Sequence, residues 1–132
     1  MSEPATVYEA AGGEATFTRL VDRFYAGVEG DPLLRALYPR DPEQFAAAGE
    51  HLRLFLIQYW GGPGWYGEQR GHPRLRMRHA PFSIGRPERD AWMGHMRAAV
   101  DSLELPAPVR DAFLEYFENA ATAMMNRGGF PF

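Results

Sequence analysis

Four histidines are the side chains of this 132-residue chain best suited to hold a metal: His51, His72, His79 and His95. No two stand four residues apart, so no helix presents paired imidazoles on one face, and the spacing does not match a zinc site. The chain has no cysteine. That excludes disulfides, thiolate–zinc sites, iron–sulfur clusters and cysteine nucleophiles. Ser2, Ser83 and Ser102 sit in no Gly-x-Ser-x-Gly turn, and no Gly-x-x-x-x-Gly-Lys phosphate loop is present.

The informative stretch is Gly71-His72-Pro73-Arg74-Leu75-Arg76-Met77-Arg78-His79-Ala80-Pro81-Phe82. It alternates strong cations with apolar residues and places a histidine just before a proline. Three readings compete. It can be a solvated basic helix end with an ordinary surface histidine. It can be a local nucleic-acid or protein-binding patch built on the arginines from Arg70 to Arg78. It can be the edge of a haem pocket, with His79 binding iron axially, arginines pairing with the propionates, and Leu75, Met77 and Phe82 against the porphyrin. The pattern alone leaves all three open. The net charge of −3 argues against a nucleic-acid partner.

Polar aromatics add to the third reading. Tyr25, Tyr38 and Trp92 each join an apolar body to a hydrogen-bond donor that needs a partner when buried. One such residue would be an ordinary core aromatic. Three near one candidate iron site suggest a ligand pocket.

The elements that must position these groups are helical. Phe17, Leu20, Val21, Phe24, Tyr25 and Val28 recur at three and four residues, which predicts a helix ended by Gly30. Asp31-Pro32 then starts a short helix running up to Tyr38, and Asp41-Pro42 starts a longer one with Ala48, Leu52, Phe55, Leu56 and Tyr59 along one face. Gly61-Gly62-Pro63-Gly64 opens a long aromatic loop to His72, of the kind that is often functional. A short turn of helix follows Pro73 and runs to about His79. Gly85-Arg86-Pro87-Glu88 starts a further helix, with Trp92, Met96, Ala99, Val100 and Leu103 on one face. Pro106 and Pro108 precede the last one, whose face is Val109, Phe113, Tyr116, Phe117, Ala120 and Met124. The expectation is a single all-helical domain over 1–132, with 1–7 and 127–132 as loose tails.

Taken together, these segments resemble the truncated haemoglobins of the second group, most closely the actinobacterial members. The resemblance rests on Phe24-Tyr25, Leu37-Tyr38-Pro39, the run from Phe55 to Gly62, the run from Gly71 to Phe82, and Glu88-Arg89-Asp90-Ala91-Trp92. It covers roughly Tyr8 to Asn126, and the run up to Phe82 is the most specific part. It implies a two-over-two helical sandwich enclosing haem b. By the same resemblance, His79 is the proximal iron ligand and Tyr25, Tyr38 and Trp92 are distal hydrogen-bonding residues. Leu52 faces the bound gas, and Ala48 occupies a position where many globins carry a distal histidine. Arg76 and Tyr66 are expected at the propionates, with Met77, Phe82 and Phe55 against the macrocycle. His51 is expected to point away from the iron.

The activity so implied is binding of oxygen, nitric oxide or carbon monoxide, with slow oxygen release. The alternatives are a nitric oxide dioxygenase or peroxidase-like enzyme served by an unknown reductase, and a helical interaction module without haem. The chain lacks a basic, then apolar, N-terminal signal and any run of about 18 apolar residues. A cytoplasmic protein is expected, with a homodimer left open beside a monomer.

Overall fold

The computed structural model describes residues 6–126, apart from the side chain of Arg76. The expected tails therefore lie outside the described residues except at Thr6 and Val7. Those two begin an ordered element: Thr6 accepts the Glu9 N–H at 3.1 Å and caps α1, Val7–Ala11. The Tyr8 N–H reaches the Trp60 carbonyl at 2.9 Å, which fixes α1 to the end of a distant helix.

Seven more helices follow: α2 (Glu14–Glu29), α3 (Pro32–Arg35), α4 (Pro42–Tyr59), α5 (Trp65–Arg70), α6 (Leu75–His79), α7 (Arg86–Ser102) and α8 (Ala107–Ala123). No strand occurs among the described residues. The starts of α3 and α4 use the chemistry read from the sequence. Asp31 accepts from the Leu33 N–H at 3.1 Å and Asp41 from the Gln44 N–H at 3.1 Å, each followed by a proline that donates no hydrogen bond. Helix α7 starts differently. The buried Glu88 carboxylate turns back to accept the Gly85 N–H at 2.8 Å.

The segment from Gly61 to His72 is not a plain loop, because α5 lies inside it. Its anchor comes from another helix: the Gln58 side chain accepts the Gly67 N–H at 2.7 Å. A six-residue helix with two glycines beside it has no local periodicity to announce it.

Helix α2 packs on α4 and on α7, and α7 packs on α8. Two helix pairs thus share one core. Phe17, Phe24, Phe113 and Phe117 are fully buried there, with Leu20, Leu56, Ile57, Met96 and Val100. Each such side chain contributes about 1.5–3 kcal/mol of burial. Trp60 stacks on Phe113 with ring centroids 4.3 Å apart, and Phe17 lies 5.6 Å from Phe113. This aromatic block holds the end of α4 against α8.

Asn126, just past α8, closes the far side. It exchanges backbone and side-chain hydrogen bonds with Ile84, both 2.8 Å, and its amide donates to the carbonyls of Phe82 at 2.7 Å and His79 at 3.3 Å.

Candidate functional site

A cavity of ≈ 380 Å³ opens between α4, α6, α7 and α8, within the roughly 300–1,000 Å³ of small-molecule and cofactor pockets. Its wall is mostly apolar. Ala48, Leu52 and Phe55 come from α4, Leu75 and His79 from α6, Trp92 from α7, and Tyr116, Phe117 and Met124 from α8 and its end. Leu37, Tyr38, Phe82 and Ile84 complete it from the loops.

The geometry of His79 follows from its helix. Residues four apart on a helix share a face, so Leu75 and His79 both reach the cavity. The His79 Nδ1 lies 2.7 Å from the Leu75 carbonyl oxygen. A carbonyl only accepts, so Nδ1 carries the proton and the Nε2 lone pair is left for another partner. The same turn explains Met77. Two residues along a helix is about 200° of rotation, so Met77 points outward, is 59% exposed and does not line the cavity. The expected contact of Met77 with a macrocycle is not supported by this placement.

Tyr38 is positioned from outside. Arg35 donates to the carbonyls of Pro39 at 2.7 Å and Arg40 at 3.3 Å and lies over the Phe45 ring at 4.0 Å. The rings of Tyr25, Tyr38 and Phe45 meet edge to face at 5.3–5.6 Å. The Tyr38 hydroxyl has the Tyr25 hydroxyl and the Trp92 indole as its polar neighbours, and both act on its acidity. A hydroxyl oxygen has two lone pairs and one proton to give. An indole N–H only donates, so beside Trp92 the Tyr38 hydroxyl can keep its own proton for another acceptor. Burial, the nearby Tyr38 oxygen and its own donated bond push Tyr25 far above the usual phenol range. Burial also raises Tyr38, while its two donors pull it back. Both phenols stay protonated at neutral pH.

Tyr25 does not line the cavity. It borders a second cleft between α2 and α4, with Phe45, Gly49 and Arg53. Helix α4 packs closely there, and a Cβ on Gly49 would sit 3.4 Å from the Tyr25 ring, an ordinary packing distance.

The remaining expected residues are dispersed. Tyr66 is buried and meets Phe55 edge to face at 5.7 Å, behind the cavity wall. Arg76 falls in α6, but its side chain lies outside the described residues. Arg78 does line the cavity, yet its guanidinium is committed to the carbonyls of Pro73 at 2.7 Å and Arg70 at 3.3 Å. It therefore fastens the loop before α6, with those donors turned onto backbone. His51 lies off the cavity wall, 3.2 Å from Arg70 Nη1. Burial first, then the positive charges of Arg70 and Arg78, lower its pKa, so it stays neutral and can accept from Arg70.

Sequence reasoning missed Arg89 and the α8 wall as parts of the cavity. Arg89 pairs with Glu118 and lies 3.3 Å from the Thr122 hydroxyl. Tyr116, Phe117 and Met124 belong to an apolar stripe legible in the sequence, but a stripe does not say whether it faces packed core or a cavity.

With this geometry in view, the comparisons with known proteins agree. The family described as bacterial-like globin matches residues 6–126. A group 2 truncated haemoglobin of Bacillus subtilis is 40% identical, covering 91% of this chain and 88% of its own length. The crystal structure of a haemoglobin from the thermophilic phototroph Chloroflexus aurantiacus superposes with a TM-score of 0.89 at 61% identity, covering 95% of this chain and 100% of that one. A truncated oxygen-avid haemoglobin from Bacillus subtilis gives 0.84 at 39% identity, covering 92% and 99%. The chain belongs to the bacterial-like globins and, within them, to the group II truncated haemoglobins. Its helices have the two-on-two arrangement of that fold, and it is a haem-binding globin that takes diatomic gases.

The residues present fit such a group. The cavity is mostly apolar and holds an imidazole whose Nδ1 proton goes to the Leu75 carbonyl, leaving the Nε2 lone pair for a metal. No helix among the described residues is long and apolar enough to cross a membrane.

Proposed function

We propose that His79 Nε2 holds the iron of a haem b in this cavity, and that the protein binds oxygen there and releases it slowly. The observation that carries this reading is the 2.7 Å contact from His79 Nδ1 to the Leu75 carbonyl, which orients the ring and makes Nε2 the better donor. Without cysteine, the chain can form no thioether link to a macrocycle, which favours the non-covalent haem b. When bound, haem supplies the iron on which a diatomic gas is held.

The chain's own residues do the rest. Tyr38 has one proton to donate and is aimed by Tyr25 and Trp92. A hydrogen bond to an acceptor carrying negative charge is worth about 1.5–3 kcal/mol, and about 1.4 kcal/mol is tenfold in an equilibrium. Leu52 and Phe55 keep the surroundings of the gas apolar, and Ala48 leaves space beside it. Slow release is also supported by the Bacillus subtilis relative, which is described as oxygen-avid. Such a protein suits scavenging, sensing or turnover of its bound gas with nitric oxide better than transport.

The test is His79→Gly. The expected variant loses haem retention, and added imidazole restores the ferrous spectrum by occupying the vacated position. Full haem occupancy with an unshifted ferrous spectrum in the variant would overturn the assignment.

A further inference from the structure

We propose that the face formed by α6 and the start of α7 is the docking site of a small acidic flavoprotein that returns one electron to the haem iron. The proposal rests on the reading that haem occupies the cavity.

Charge is unevenly placed along the chain. Residues 69–87 contain 5 of the 14 basic residues, all of them arginines, and none of the 17 acidic ones. That leaves 9 basic against 17 acidic residues in the rest of the chain, a net −8. An acidic protein thus carries one cationic segment, and His79 lies within it. Folding does not neutralise that segment. Among the described residues, Arg89, Arg97 and Arg110 are each paired with a carboxylate, whereas Arg70, Arg74 and Arg86 are paired with none. Arg78 turns its donors onto backbone carbonyls, which carry no net charge to cancel its own. Two haem propionates offset at most two of the five cations. Arg74 stands at φ 43°, a left-handed backbone that glycine or asparagine adopts more easily. An arginine is kept there all the same.

The same face has an apolar centre. Met77 is 59% exposed, on the side of α6 turned away from the cavity. Phe82 is 42% exposed and also lines the cavity, so its ring stands between the haem site and solvent. Backbone hydrogen bonds hold the two in one tight turn. The Ala80 N–H reaches the Met77 carbonyl at 3.3 Å, and the Phe82 N–H reaches the His79 carbonyl at 3.0 Å. The Asn126 amide fixes the Phe82 carbonyl from the other side at 2.7 Å. Arg86, exposed at the start of α7, follows two residues after Ile84, which Asn126 also holds. Apolar side chains held in water by a fastened backbone, beside unpaired arginines, have the make-up of an interface: methionine, phenylalanine and arginine are enriched in such surfaces.

Charge decides the class of occupant. A cationic rim attracts an acidic partner and speeds its encounter. Position decides what that partner brings. A carrier seated on Met77 is separated from the cavity by one short helix and the Phe82 ring. Only ferrous haem binds oxygen, so each oxidation of the iron has to be reversed by an electron, and the chain has no cysteine from which to draw one. The exposed dimethylbenzene edge of a protein-bound flavin is apolar and suits the Met77 and Phe82 centre. The step balances. The anionic flavin hydroquinone gives up one electron and becomes the neutral semiquinone, while the iron passes from ferric to ferrous. No proton moves and no bond breaks.

The experiment mixes the ferric, haem-loaded protein with a purified acidic flavodoxin reduced to its hydroquinone, in the absence of oxygen. Stopped-flow follows the Soret shift on reduction. Reduction of the wild type should slow by about tenfold or more as ionic strength rises to ~0.3 M. The double variant Arg74→Asn/Arg86→Glu replaces two residues outside the cavity wall. It should be reduced at least about tenfold more slowly at low salt, and the gap should close at high salt. Its Soret band and oxygen dissociation rate should be unchanged. A second readout needs no electron transfer. Oxidised flavodoxin is added to protein with isotope-labelled methionine methyl groups. The Met77 resonance should shift, and those of the buried Met93 and Met96 should not. A reduction rate that the double variant leaves unchanged, or a Met77 resonance that flavodoxin does not move, overturns the docking site while the Soret band stands. A Met77 resonance moved by phosphatidylglycerol vesicles and not by flavodoxin assigns the face to a membrane and overturns the proposal too. Absence of a Soret band from the loaded wild type overturns the haem reading instead, and the electron-transfer role with it.

Discussion

The Nε2 of His95 lies 2.8 Å from Asp31 Oδ2, joining the helix that carries Trp92 to the residue that caps the helix before Tyr38. Both donors near the cavity are thus adjusted by one contact outside it. The bond from His95 is the main reason the Asp31 carboxyl sits below its usual value, with the Leu33 and Leu34 amides adding to it. A carboxyl depressed on folding contributes stability above its unfolded pKa of about 3.9 and loses it as pH falls through the lower folded value. Asp31→Asn keeps an N-cap but removes the charge. The expected variant shows a flatter loss of stability between mildly acidic and strongly acidic pH, read as thermal midpoints across that range.

Gly27 controls the same contact from α2. A Cβ there would lie 2.5 Å from His95 Nδ1. Gly27→Ala should turn the imidazole away and reproduce the acid behaviour of Asp31→Asn. It should also raise the oxygen dissociation rate, because α3 then holds Tyr38 less firmly.

Tyr38→Phe removes the one proton free to reach a ligand. It should speed oxygen release by at least about tenfold, the equivalent of 1.4 kcal/mol. Trp92→Phe should speed it as well, since Tyr38 then loses a partner and the cavity loses an indole donor. Tyr25→Phe should have the smallest effect of the three. Stopped-flow displacement of oxygen by carbon monoxide measures all of them, and an unchanged rate in Tyr38→Phe would remove it from the role proposed here.

Gly49→Ala tests the second cleft. Alanine is favoured over glycine inside a helix by about 1 kcal/mol, and its Cβ meets Tyr25 at an ordinary packing distance of 3.4 Å. The alanine variant should unfold at higher urea. Gly49→Val adds two methyl groups against the same ring and should displace Tyr25, with oxygen release approaching that of Tyr25→Phe.

Phe113→Ala removes the ring that Phe17 and Trp60 share. A loss of about 3–5 kcal/mol is expected for a fully buried phenylalanine, read by urea unfolding.

Helix starts were legible because their chemistry is local. Asp31-Pro32 and Asp41-Pro42 carry their own acceptor and their own fixed backbone angle. Helix α5 was not, because its anchor, the Gln58 side chain, belongs to another helix. The arginine run read as uniform basic character. Only folding reveals that Arg78 is turned onto the carbonyls of Pro73 and Arg70. Alternation along Leu75-Arg76-Met77-Arg78-His79 likewise suggested that both Leu75 and Met77 face one surface. The helical turn puts Leu75 with His79 and sends Met77 to the other side. The α8 wall escaped notice for a different reason. Packing against core and lining a cavity place the same demand on a side chain, namely that it be apolar.

Asn126 gives the pocket an order of assembly. Its side-chain hydrogen bonds span 42 to 47 residues, back to Ile84, Phe82 and His79. A ribosome extends the chain from its N-terminus, so His79 emerges well before the residue that fastens the turn around it. A nascent chain that has not completed α8 also lacks the Tyr116, Phe117 and Met124 wall. Enclosure of the cavity is thereby coupled to synthesis of α8 and Asn126, and a product ending before α8 would carry His79 without the walls around it.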